Sequence, residues 1–570
     1  MIQALLRRIL PIVLIVASCF WVYQNSLNAP FVWDDEVMVV GNPLIRSFDS
    51  FGAVFGSGAF GGKVDSLSFY RPLQIASYSI DYHFWELDPF GYHLSNLILH
   101  TVSCLLLFTF VLGLGLAVPW ATVAALLFAV HPVGIEAVTY VSGRGDALFL
   151  MLSLAGLVVF QQAHRKQSIP LFLVSFLAIS AAVFAKENAL VVPIIACLYA
   201  ILLLPRPLPR KTVFFLLGST SISALYLGFK FFGGLPSATT PLSYISSASL
   251  WERILTVPQS LLTYLRLLVY PTDLHMEYHF VTHSITDWTV WLGIPLLYGI
   301  YKLTSRCSCK GDACSWQRKK QFCLGVLLLG LLPVNNVWPP LASTVREHWL
   351  YLPLVGFTTF VAIQLHQLWE GSKSLVFKAL LGLFVIVFVA FLGNTTIDRN
   401  EDWTSPVRLY QHDLALEPKS FVLHNNLGVT LYREHKEQEA LNAFIQSIQT
   451  SPGKRYATPY NNVGVILEDH GQNKDALNYY QQSIAFGNYQ LGYVNLGRLL
   501  AKMGQLDAAI IVLEKGHEQY PNTPDLELYL SAAYLQKGRK IDARILLEQL
   551  LKLTPESNQV QLLYQETLSQ

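Results

Sequence analysis

The residues best able to do chemistry lie in five short polar stretches, each beside a long apolar run. "FVWDDE" (31–36) sets Asp34 next to Asp35 just after an N-terminal apolar segment. "FYRPLQ" (69–74) offers Tyr70 and Arg71, and "HPVGIEAVTYVSGRGDAL" (131–148) offers His131, Glu136, Arg144 and Asp146. "AKENAL" (185–190) carries Lys186 and Glu187, and "STVREHWLYLP" (343–353) carries Arg346 and Glu347. Taken singly, each charge reads equally well as a helix-end ion pair. As a set they read as a polar active site, because ionisable groups at membrane depth are costly and tend to line a functional cavity. A carboxylate there can take the proton of a hydroxyl as a general base. Arg and Lys beside it can hold a phosphate, the first bidentately and the second as a point charge. Such a site suits a substrate with its phosphate at the interface and its tail in lipid, as in a polyprenyl-phosphate-linked sugar. The reaction would be displacement at the anomeric carbon. Lipid phosphate leaves, the acceptor oxygen attacks from the opposite face, and one such step inverts the centre.

Those stretches need elements to hold them. The chain has 570 residues, 52% of them hydrophobic and 14% charged. Soluble domains carry about 25% charged residues, so this composition indicates a polytopic membrane protein. A net charge of +2 gives no case for nucleic acid as a partner. The apolar runs predict about eleven spans, near 9–23, 94–113, 117–131, 147–162, 168–185, 189–204, 211–232, 288–303, 321–338, 348–368 and 374–393. The first reads as an anchor rather than a cleaved leader, since "FWVY" continues its helix. Lys and Arg mark cytoplasmic loops. Arg7 and Arg8, "HRKQ" (164–167), "RPLPRK" (206–211) and 301–321 therefore lie inside. The loop 24–93, the five polar stretches and everything after 394 lie outside. The segment 251–270 would upset this parity if it crossed, so it reads as an interfacial or re-entrant helix.

No metal is expected. Cys307, Cys309 and Cys314, with Cys323 beyond, have no standard zinc spacing and read as a reduced cytosolic loop. No outer loop supplies a coordination set at fixed spacing, and no other cofactor is called for. Asn394 opens an Asn-Thr-Thr sequon on the outer side.

Beyond Trp403 the sequence is polar and periodic. Asn-x-Gly recurs at Asn426/Gly428, Asn462/Gly464 and Asn495/Gly497, and a small residue recurs at Ala440, Ala476, Ala508 and Ala543. The period of about 34 is that of tetratricopeptide repeats. Residues 1–393 thus form a membrane domain, 394–402 a linker and 403–570 about four repeats, with 406–418 as a partial first one. Such arrays have a concave face that takes an extended peptide or another protein.

"FVWDD", "YRPL", "YHLSNLILH", "HPVGIEAV", "GRGD", "KEN" and "REHWLYLP", followed by the repeats, resemble the TMTC family (transmembrane and tetratricopeptide repeat-containing proteins) and its prokaryotic relatives. The resemblance implies an all-α, GT-C-type helix bundle and a protein O-mannosyltransferase-like activity with a lipid-phosphate sugar donor. It implies that Asp34 or Asp35 is the catalytic carboxylate, with Asp34 aligning better to the family's first acid. It places Arg71, Arg144, Lys186 and Arg346 on the lipid phosphate, with Glu187 and Glu347 orienting them and Tyr70, His131, Glu136 and Asp146 in support. Gly134 and Gly145 depart from the family's usual residues without removing a charge. The implied partners are membrane lipid, the lipid-linked sugar and a protein acceptor; the alternative readings are transfer to a lipid or cell-wall glycan, transfer of an oligosaccharide, and a non-enzymatic membrane scaffold built on the repeats. The implied setting is a bacterial inner membrane and periplasm, or an endoplasmic reticulum lumen.

Overall fold

The computed structural model describes residues 2–56, 70–232, 242–304, 312–521, 523–554 and 557–568. The described residues are helical, with no strand and one antiparallel bridge between Tyr278 and Val345. The chain forms two compact units, Met1–Glu417 and Pro418–Gln570.

In the first unit five helices are long and apolar enough to cross a membrane: Ile9–Ser26, Pro89–Gly113, Val141–Lys166, Glu347–Gly371 and Leu375–Asp402. A bent pair, Val118–Ala129 with Pro132–Val138, makes a sixth if counted as one span. The other expected spans are helices too, but short or charged. Ile169–Ala185 and Glu187–Leu203 are parted at Lys186. Asp312–Leu331 takes Arg318, Lys319 and Lys320 into its first turns. The protein is an integral membrane protein. Phe110, Phe128, Phe149, Phe160 and Tyr351 fill its core, while Leu380, Leu383, Ile386 and Val387 of the last span are exposed. An apolar outer face of this kind is what lipid contact requires.

Polar residues pin the helices together where they end. The last span runs on to Asp402, so the expected linker 394–402 is helix. The Thr396 hydroxyl donates to the Val130 carbonyl (2.7 Å), and the Asn400 amide donates to Val22 O (2.9 Å). These buried bonds hold the segment to the bundle, and the Asn394 sequon therefore sits in a helix. The following helix, Pro406–Leu416, also belongs to this unit rather than to the repeats. The segment 251–270 forms a helix, Leu250–Val269, opened by a reciprocal Ser249–Glu252 capping box.

The second unit is a ladder of helix pairs: Phe421–Arg433 with Glu437–Thr450, Ala457–Asp469 with Asn473–Gly487, Gln490–Lys502 with Leu506–Gln519, and Pro524–Gln536 with Lys540–Leu553. The Asn-x-Gly glycines have a packing reason. A Cβ on Gly428, Gly464 or Gly497 would lie 2.6, 2.5 or 2.4 Å from Phe444, Tyr480 or Leu513 of the second helix. The small residues of the second helix are Ala440, Ala476, Ala509 and Ala543, all fully buried. Ala509 replaces the expected Ala508, which stands one position off the buried stripe.

Candidate active site

The two adjacent aspartates have different jobs. Trp33 sits in the left-handed region (φ +53°) and turns the chain sharply before them. Asp35 is fully buried, and its carboxylate closes that turn. Its Oδ2 accepts the Val32 N–H (3.0 Å), and its Oδ1 accepts the Ser142 N–H (2.7 Å) and hydroxyl (2.5 Å). Burial pushes it up to about 7 against the pull of those hydrogen bonds. Asp34 is half-buried, and its N–H donates to the Tyr140 hydroxyl (3.1 Å). Burial raises its pKa, while the charges of Arg346 and Arg71 oppose the rise and that of Glu277 adds to it. Asp35 thus anchors the loop, and Asp34 faces two cations.

The charges of Arg346 and Arg71 act on Asp34, that of Lys186 acts with them on His348, and each of the three pairs with an acid. Arg71 makes a two-pronged pair with Glu187, Nε to Oε2 at 3.0 Å and Nη2 to Oε1 at 2.6 Å. Lys186 Nζ is 2.6 Å from Asp146 Oδ2. Arg346 Nη2 is 2.7 Å from Glu277 Oε1, and its guanidinium carbon lies 5.8 Å from the Trp33 ring centre. Glu136 pairs with His348, and the charges of Lys186, Asp146, Arg346 and Arg71 all act on that imidazole. The side chains of Arg71, Glu187 and Arg346 stay 12, 23 and 19% exposed, so the group opens to a bound molecule.

Local geometry supports the gathering. A Cβ on Gly143 would sit 1.9 Å from the Glu136 carbonyl oxygen, so glycine there lets the two halves of 131–148 close on each other. Lys186 is extended (φ −159°) between two helices, which lifts it clear of both.

Other expected residues stand apart. Arg144 is 1% exposed, and all three of its nitrogens are engaged within the protein. They reach Asp81 (2.5 Å), Asn96 Oδ1 (2.7 Å), Tyr92 O (2.9 Å) and Ser77 Oγ (3.3 Å), and the Tyr78 ring lies 4.6 Å away. His131 serves the bend between two helices. Its Nδ1 accepts the Val133 N–H (3.4 Å), and its Nε2 meets Leu268 O (3.1 Å). Tyr70 turns its hydroxyl to Phe55 O (2.9 Å). Glu347 does not orient Arg346: its Oε1 accepts the His275 N–H (2.7 Å) and the Tyr278 hydroxyl (2.8 Å). Arg346 has extended backbone angles (φ −138°, ψ 143°), so neighbouring side chains point opposite ways.

Glu277 was missed in the sequence, because "HMEYHF" (275–280) has no spacing that sets it apart. Cys307 and Cys309 lie outside the described residues. Inside the bundle Cys19, His100 and Cys104 place their ligand atoms within 4.8 Å of one another. Both ring nitrogens of that histidine already have protein partners, Tyr351 Oη at 2.6 Å and Ala129 O at 3.1 Å.

A helical membrane unit with a charged, half-open cluster, joined to tetratricopeptide repeats, defines the class of this chain. A family model described as Tetratricopeptide repeat matches residues 500–566. The chain is 26% identical over 488 residues to protein O-mannosyl-transferase TMTC3 of Homo sapiens, covering 78% of this chain and 52% of that one. It is 25% identical over 481 residues to protein O-mannosyl-transferase TMTC4 of Mus musculus, covering 74% and 64%. Among solved structures, ArnT from Cupriavidus metallidurans bound to undecaprenyl phosphate aligns over 82% of this chain and 79% of that one, at 12% identity and a TM-score of 0.37. The chain is similar to the TMTC proteins, and it spans about half the length of the first two it matches.

Proposed function

We propose that this protein is a membrane glycosyltransferase that moves a monosaccharide from a polyprenyl-phosphate donor to a Ser or Thr hydroxyl of an extracytoplasmic protein. The observation that carries this reading is the half-buried Asp34 under the joint influence of Arg346 and Arg71, with Lys186 paired to Asp146 in the same unit of membrane-spanning helices. The names of the relatives, each a protein O-mannosyl-transferase, support transfer to protein.

In this reading Asp34 accepts the proton of the attacking hydroxyl. A base whose pKa burial raises is closer to its task at neutral pH. Arg71, Lys186 and Arg346 hold the phosphate that departs with the lipid. Glu187, Asp146 and Glu277 pair with them in turn, which keeps each cation in place. The C–O bond to the lipid phosphate breaks as the acceptor oxygen bonds to the anomeric carbon, in a single inverting displacement. Asp35 and Arg144 position the loops and touch no reactant. The amino terminus faces the cytosol, the site and the repeats face outward, and the concave face of the repeats presents the acceptor.

Mass spectrometry of extracytoplasmic proteins from cells with and without this gene tests the reading. The expected result is loss of one defined sugar mass from Ser and Thr peptides. An unchanged set of glycopeptides contradicts it.

A further inference from the structure

The helix Pro406–Leu416, expected among the repeats, forms part of the frame around the charged cluster. Its Tyr410 ring meets the Trp33 ring edge-on at 6.4 Å. Just before it, Trp403 packs 5.5 Å from Tyr140, whose hydroxyl takes the Asp34 N–H. On the other side, Asp413 is fully buried and its Oδ2 accepts the Met276 N–H (2.9 Å). Glu417 follows the helix, and its Oε2 accepts the His279 N–H (2.9 Å). These two carboxylates therefore grip the backbone on both sides of Glu277. Glu277 is itself 1% exposed and bears the carboxylate that holds Arg346 at 2.7 Å. Arg399 neutralises Asp413 from the last span (2.7 Å), so its charge is not left bare in the interior.

We propose that Asp413 and Glu417 are positioning residues for the donor phosphate: they fix the backbone around Glu277, and Glu277 aims Arg346. This rests on the reading that Arg346 holds the lipid phosphate. Neither acid touches substrate. Their effect reaches the phosphate only through Glu277, which makes it separable from a general effect on stability.

The test uses the purified full chain in lipid nanodiscs and polyprenyl phosphate as the probe, with affinity and thermal unfolding measured on the same samples. Glu417 is half-exposed, so Glu417→Ala is expected to fold. It should weaken polyprenyl-phosphate binding about three- to tenfold. Glu417→Gln, whose amide oxygen still accepts the His279 N–H, should restore affinity. Glu277→Gln should weaken binding more, and adding Glu417→Ala to it should change little further, because both act through one arginine. Unchanged affinity in a folded Glu417→Ala protein, or losses that simply add in the double variant, overturns the inference. Absence of binding by the unaltered protein overturns it together with the donor reading. Binding without sugar transfer overturns the proposed activity and leaves this inference to the variants.

Discussion

Two charged regions of the membrane unit are built from the same residue types and differ in what is left over. Around Arg144, every guanidinium nitrogen meets a protein group, and the side chain is 1% exposed. Arg346, Arg71 and Lys186 pair with Glu277, Glu187 and Asp146, and the two arginines stay partly exposed. The first region is a strut that joins Asp81, Asn96 and Tyr92. In the second, the Arg71 and Arg346 side chains are 12 and 19% exposed. The same contrast divides Asp35, with three donors on its carboxylate, from Asp34, which shares its field with two arginines. In the proposed site, exposure rather than charge or motif membership separates the cations assigned to the phosphate from the buried Arg144.

The strongest way to break this contrast is to exchange the roles of the aspartates. Asp34→Asn should cut transfer by about 10²–10⁴-fold with folding unchanged, the range lost with a general base. Asp35→Asn should instead lower the yield of folded protein, since an amide presents N–H groups to the Val32 and Ser142 donors. A folded Asp34→Asn protein with full turnover would reverse the assignment.

Next in size, Arg144→Leu strands Asp81 in the interior and should destabilise the membrane unit by about 3–5 kcal/mol, read by thermal unfolding. Arg346→Ala removes a partner of the buried Glu277, but it should cost less stability than Arg144→Leu, because Arg346 is 19% exposed and His279 still lies 3.2 Å from Glu277. It should weaken donor binding by about 1.5–3 kcal/mol, the range for a hydrogen bond to a charged group. Equal effects on stability from the two arginines would erase the distinction.

A smaller effect sharpens it. Ser142→Ala removes one of three donors to Asp35 and should cost about 1 kcal/mol of stability. The pH profile supplies the finest reading. Asp34 works deprotonated, so transfer should rise with pH through its elevated pKa and fail on the acid side. Burial raises that pKa and Arg346 opposes the rise. In Arg346→Ala the acid limb should therefore move to higher pH. A shift to lower pH would show that Arg346 does not face Asp34.

Much of this was legible in the sequence because it is local. The apolar runs mark the helices, and the repeat period marks the second unit. Asp34, Arg71, Lys186, Glu187 and Arg346 stand in polar stretches whose chemistry can be read directly. The separation from each Asn-x-Gly glycine, constant from Gly428 to Ala440 and from Gly464 to Ala476, points from Gly497 to Ala509 rather than Ala508. What could not be read depends on contacts between distant segments. Glu277 pairs with Arg346 only because Tyr278 and Val345 bridge. Glu347 turns away because Arg346 is extended. Arg144 drops out because Asp81 and Asn96, which lie on two other helices, saturate it. The stretch 394–417 reads as linker and repeat, yet Thr396, Asn400 and Asp413 bind it into the membrane unit.

The most direct measurement is single-turnover transfer from a polyprenyl-phosphate sugar to a Ser/Thr peptide, run on the purified full chain and on Asp34→Asn, with donor affinity measured in the same nanodiscs. The expected result is a variant that holds the donor as the parent does and transfers about 10²–10⁴-fold more slowly. A variant that binds the donor and glycosylates the peptide at the parent's rate would contradict Asp34 as the base.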